Sequence, residues 1–92
     1  METKSLTKEE TEELLNHQKE YIKGRRNESS DFSNSSIMGM WIEGSNLSRT
    51  NFRGSLAHDV AFVNCLFQDV DFSESHFVGV DFKSCMFVNC IF

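Results

Sequence analysis

Nine phenylalanines, Phe32, Phe52, Phe62, Phe67, Phe72, Phe77, Phe82, Phe87 and Phe92, share one frame, for every interval between them is a multiple of five. With the frame free to choose, chance aligns all of them roughly once in 400,000, so the period is real. Ile37, Ile42, Leu47 and Ala57 fill the vacant places, giving thirteen consecutive apolar centres without a phase break. Two residues before each centre the side chain is small or β-branched, as at Ser30, Ser45, Thr50, Val60, Cys65, Cys85 and Cys90, and only Met40 is large. Directly before the centre, Asp or Asn recurs at Asp31, Asn46, Asn51, Asp71 and Asp81.

Five fits neither a helix nor a strand, whose side chains repeat at about 3.6 and 2.0 residues. It fits a chain that turns a corner every five residues and sends two of them inside. The large centre fills the axis, and the small residue at minus two lets the backbone pass close beside it. Stacked layers then pair their backbone groups at a spacing of about 4.8 Å, as neighbouring strands do.

The stretches SNLSR, TNFRG, VDFSE and VDFKS resemble the A(D/N)LXX pattern of the pentapeptide-repeat family, and the likeness covers about two-thirds of the chain. The resemblance implies an all-β solenoid: a right-handed quadrilateral β-helix with about four pentapeptides per coil, hence about three coils, over residues 30–92. That geometry stacks residues twenty apart into four ladders: Phe32 to Phe92 through Phe52 and Phe72, Ile42 to Phe82, Leu47 to Phe87, and Ile37 to Phe77 over the short rung Ala57. Leu56 then points outward; a local bulge that swaps it inward is the alternative there.

Residues 1–29 differ in composition and read as an N-terminal capping helix and linker. Thr7 and Glu10 form a capping-box pattern, acids crowd the first turns, Lys19, Lys23, Arg25 and Arg26 crowd the end, and Gly24 is a stop signal. Leu14, Leu15, Tyr21 and Ile22, with Gln18 between them, make a modest apolar stripe to lie over the first layer, because a solenoid's end exposes core and unpaired backbone. The segment LLNHQKEYIKGRRNESSDF is also similar to the helix preceding the repeats in phage and prophage members of the family.

A net charge of −5 argues against direct binding of nucleic acid or of an anionic membrane surface. No apolar run approaches the ~20 residues needed to span a bilayer, and the N-terminus carries no signal-peptide pattern. Three Cys without CxxC spacing suggest free thiols, and with them a cytoplasmic location in a bacterial host. Cys65 and Cys85 stack above Ser45 in the small inward slot, where packing explains them better than metal binding. His17, His58 and His76 sit at unrelated offsets and read as surface residues. There is no GxSxG, HExxH or phosphate-binding glycine loop, so no catalytic residue, metal or cofactor is assigned and the chain is not expected to be an enzyme.

Two surface features remain. Asp59, Asp69, Asp71, Glu74 and Asp81 concentrate acid in the later repeats, either as a solvated face or, as some relatives imply, as a mimic of duplex DNA. Leu66 and Met86 stack with Val88 nearby, and Trp41 lies beside Met38 and Met40, either under the helix or at a contact. The expected function is therefore a phage-related binding protein inhibiting a nucleic-acid-handling protein, DNA gyrase or a bacterial defence nuclease complex, through its acidic face. The other reading is a scaffolding module that docks a protein partner through its apolar patch. Ile91 and Phe92 end the repeats with a core position, and a homodimer through the C-terminal coils is expected, as resemblance to gyrase-binding members also implies.

Overall fold

The computed structural model describes residues 3–92. One helix, α1 (Lys8–Ile22), follows a short strand, β1 (Lys4–Ser5). Eight further strands make up the rest: β2 (Ser35–Met38), β3 (Trp41–Glu43), β4 (Leu56–His58), β5 (Ala61–Val63), β6 (Leu66–Gln68), β7 (His76–Val78), β8 (Asp81–Lys83) and β9 (Met86–Val88). All pairing between strands is parallel. The sheets run β1-β2-β4-β7, β3-β5-β8 and β6-β9.

Within the repeats every pairing joins residues twenty apart, as in Ile37 with Ala57, Ala57 with Phe77, and Phe67 with Phe87. A fourth line of isolated bridges, Asp31–Asn51–Asp71–Ile91, keeps the same offset. The arrangement follows from the pentapeptide frame. The centres point inward and stack: Phe52 lies 4.8 Å from Phe32 and 5.3 Å from Phe72, ring on ring, and Phe72 stacks on Phe92 at 5.2 Å. Phe62 over Phe82 and Phe67 over Phe87 repeat the contact at 5.3 and 4.9 Å. Ala57 is buried and Leu56 faces out, so the frame passes through this point without a bulge.

The corner lies two residues past each centre, and there the backbone takes a positive φ, from Asn34 at 49° to Asn89 at 53°. Asn and Asp tolerate this region better than other side chains, which is why they recur there. The Asp or Asn before a centre has a separate task. Asp31, Asn46, Asn51 and Asp71 each accept the amide two residues on, at 2.8–3.1 Å, and tighten a local turn. Asp81 does not; it sits in the extended strand β8.

Helix α1 begins with both halves of the capping box: Thr7 N donates to Glu10 Oε1 at 2.9 Å and Glu10 N to Thr7 Oγ1 at 3.0 Å. It ends where Gly24, at φ 78°, lets Gly24 N reach Tyr21 O and Arg25 N reach Glu20 O. Leu6, Leu14 and Leu15 pack on the core, but the residues the helix buries fully are polar, Thr11 and Gln18. The apolar stripe is thus narrower than its sequence suggests, and Ile22 is exposed. Burial falls along the stack, from Phe32 at 1% exposure to Phe92 at 78%.

Candidate functional site

The outward residues fall on sides fixed by the twenty-residue register. On one side Leu66 pairs with Met86 and Gln68 with Val88, below Asn46. This brings Leu66, Met86 and Val88 together on a side whose other outward residues, Asn46, Ser48 and Gln68, carry no charge. Met86 is 62% exposed. Ile91 and Phe92 are also exposed, but Ile91 bridges to Asp71 on a neighbouring side, so they belong to the last layer and not to this strip.

A second apolar strip escaped the sequence reading. Met38, His58 and Val78 pair in register, as do Ser36, Leu56 and His76, so Met38, Leu56 and Val78 share one side with two histidines. The signal was present, since 38, 58 and 78 differ by twenty. His58 Nδ1 lies 3.2 Å from Asp59 Oδ2. His17, by contrast, is half-buried beside Glu10, Glu13 and Asp31.

The five acids do not all share one face, although Asp71 lies on the side of Phe72 and Asp69 and Glu74 stand at the two corners of that side. Asp59, Asp69 and Glu74 occupy three different corners, and Asp71 and Asp81 two different sides. Most have local partners. Glu74 pairs with Arg53 at 2.9 Å, and Asp69 accepts Asn89 Nδ2 at 2.5 Å. Asp71 accepts both the hydroxyl and the amide of Ser73, which hold its carboxyl below the usual range. Asp81 is exposed, and no described residue forms an ion pair with it.

Trp41 is 61% exposed and donates from Nε1 to Glu43 Oε1 at 3.0 Å. It therefore does not pack under the helix; it stands at the rim of a groove between α1 and β3. The thiols lie in the inward slots as expected. Cys65 is buried, which pushes its pKa up, and Cys85 and Cys90 donate to Phe62 O and Phe67 O at 3.2 and 3.1 Å. Among the described residues no three His, Cys, Asp or Glu side chains converge to hold a metal ion, and no helix is long and apolar enough to cross a membrane.

Comparison with curated proteins and with solved structures gives no match. A family model for pentapeptide repeats, in nine copies, matches residues 42–91. This span contains the stacked centres from Ile42 to Phe87 and the turns that join them. The chain belongs to the pentapeptide-repeat family, whose repeats imply a β-helix and a module for protein interaction.

Proposed function

We propose that the protein is a non-catalytic binding module that docks on a protein partner through the strip Leu66–Met86–Val88. The module is a right-handed quadrilateral β-helix of about three coils over residues 30–92, with residues 1–29 as its helical cap, working in the cytoplasm of a bacterial host. The observation that carries this reading is the strip itself: apolar residues stacked in register on a side without charge. A regular scaffold has little left to order when such a strip is covered, so less of the gain from apolar burial is lost to ordering.

A second reading, inhibition of DNA gyrase or a bacterial defence nuclease complex by a phage-related DNA mimic, is favoured by the shape. The two shorter dimensions, 25 and 22 Å, are near the width of a duplex. Charge density weighs against it. A duplex as long as the 31 Å axis carries about 18 phosphate charges at one per ~1.7 Å, against a net −5 here. Apolar docking is the stronger reading for that reason.

The partner chemistry is separable by two variants. Met86→Lys should abolish partner binding, while the triple change of Asp59, Asp69 and Asp81 to Asn should leave it intact. The opposite pattern would establish mimicry. We also propose that a second copy covers Phe87, Ile91 and Phe92, its exposed last layer meeting the same layer of the first across a two-fold axis, where the facing strands run antiparallel. Sedimentation of a stable monomer at micromolar concentration would refute this dimer.

A further inference from the structure

The first layer of strands has an upstream edge, and on two sides other segments of the chain cover it. On β2 the edge is taken by β1, with Lys4 N donating to Asn34 O at 2.8 Å and Leu6 N to Ser36 O at 2.9 Å. At Asn46–Ser48 the carbonyls of Asn46 and Ser48 accept Gln18 Nε2 at 3.1 and 2.9 Å. On the Asp31–Ser33 side only Ser33 is met, by local turns: its amide donates to the Asp31 carboxylate and its carbonyl accepts Ser35 Oγ. The fourth side is β3. It pairs with β5 alone, and Gly44 N to Val63 O and Ala61 N to Met40 O show which backbone groups that pairing uses. Successive residues aim their backbone groups at opposite edges, so the N–H and C=O groups of Trp41 and Glu43 face upstream. No described residue bonds them.

That free edge opens into a groove beside α1, in two lobes of about 270 and 280 Å³ that share Leu15, Lys19, Glu43 and Ser45. Helix and strand run the same way along it, since one lobe holds Glu12, Asn16 and Trp41 and the other Ile22, Lys23 and Asn46. Leu15 and Ile22 supply an apolar wall. Glu12 lines only the Trp41 lobe and Lys23 only the other, while Lys19 and Glu43 line both, so the ends differ by one acid against one base. Among the described residues neither lysine forms an ion pair.

We infer that the slot between α1 and β3 binds an extended segment of a partner protein, which adds as a parallel strand to Trp41–Glu43. Strand addition takes its affinity from main-chain hydrogen bonds and its specificity from alternate side chains. β1 on β2 is the same device within this chain. Charge polarity selects the occupant: a basic side chain at the segment's N-terminal end, over the Trp41 ring and near Glu12, apolar side chains against Leu15, and an acid at its C-terminal end near Lys23. This surface is separate from Leu66, Met86 and Val88.

Trp41 is the single tryptophan, so its fluorescence reports this slot alone. The probe is an end-blocked peptide of alternating threonine and valine, with lysine first and aspartate last. It should shift Trp41 emission saturably at submillimolar concentration. The same peptide with its charged ends exchanged should bind about tenfold more weakly, and one N-methylated along its pairing edge should not bind. Lys19→Glu with Lys23→Glu, both exposed helix positions, leaves acid at both ends and should abolish the preference between the two charge orders. No emission change up to millimolar peptide, or equal binding of the N-methylated form, would overturn the inference.

Discussion

Gln18 donates from Nε2 to the carbonyl of Ser48 at 2.9 Å, across thirty residues of chain. The same nitrogen reaches Asn46 O at 3.1 Å, and Gln18 Oε1 accepts Ser30 N at 2.9 Å. One layer further on, the equivalent carbonyls of Leu66 and Gln68 accept the amides of Leu47 and Arg49. Gln18 therefore replaces two amides of a preceding strand with one carboxamide, which is how a helix closes the end of a sheet. Gln18→Met keeps the volume but strands three backbone groups, and should destabilise by about 3 kcal/mol. Urea denaturation checks it, and a loss below about 1 kcal/mol would mean that water serves the edge equally well.

Ser55 carries the opposite expectation. Its hydroxyl is buried without a partner, whereas Ser75 Oγ, one layer on, donates to Phe72 O. Ser55→Ala removes an unsatisfied polar group at no cost in packing. It should be neutral or stabilising by up to about 1 kcal/mol in the same assay. Clear destabilisation would show that the hydroxyl is bonded in solution.

The burial gradient along the phenylalanine stack sets a graded response. Phe62, fully buried between Ile42 and Phe82, should cost about 3–5 kcal/mol on change to alanine. Phe92→Ala should cost under about 1 kcal/mol in the monomer, because little of the ring is buried. If a second copy covers Phe92, that cost grows with protein concentration.

Acid should loosen the turns before the core. Thr7 N holds the Glu10 carboxyl below its ordinary range, and Ser73 does the same for Asp71. Both pKa values are lower folded than unfolded. Their contribution is thus complete above the ordinary carboxylate range near ~4 and is lost as pH falls through the folded values. The urea midpoint should decline below about pH 4, and Glu10→Gln should flatten part of that decline. An unchanged slope in the variant would remove Glu10 from the account.

Thiol reactivity should follow burial. Burial raises the Cys65 pKa and blocks access, so iodoacetamide should modify Cys85 and Cys90 well before Cys65, as read by mass spectrometry of peptides. Equal rates would mean that the layers open readily.

The core was legible because its chemistry repeats: each centre faces the same axis, so thirteen positions report one period. The surface needs a different period. Asp59, Asp69 and Glu74 look adjacent in sequence, yet five-residue steps turn a corner each time and twenty-residue steps define a side, so Asp59 stands apart while Asp69 and Glu74 bracket the side of Asp71. The same arithmetic joins Met38 to Val78. Gln18 and β1 were not legible at all. Gln18 owes its role to carbonyls at 46 and 48, and Lys4–Ser5 is a strand only because Ser35 and Ser36 lie beside it. Trp41 was legible as pointing outward, with its place under the helix or at a contact left open, since only the placement of α1 decides that.

The docking claim is tested most directly by the salt dependence of partner retention. The immobilised protein would be exposed to bacterial lysate and washed from low salt to about 1 M, where the screening length is only ~3 Å. A partner that stays bound at high salt, and is lost with Met86→Lys, is the predicted result. A partner that elutes as salt rises and still binds the Met86→Lys variant would contradict the apolar account and establish the acidic one.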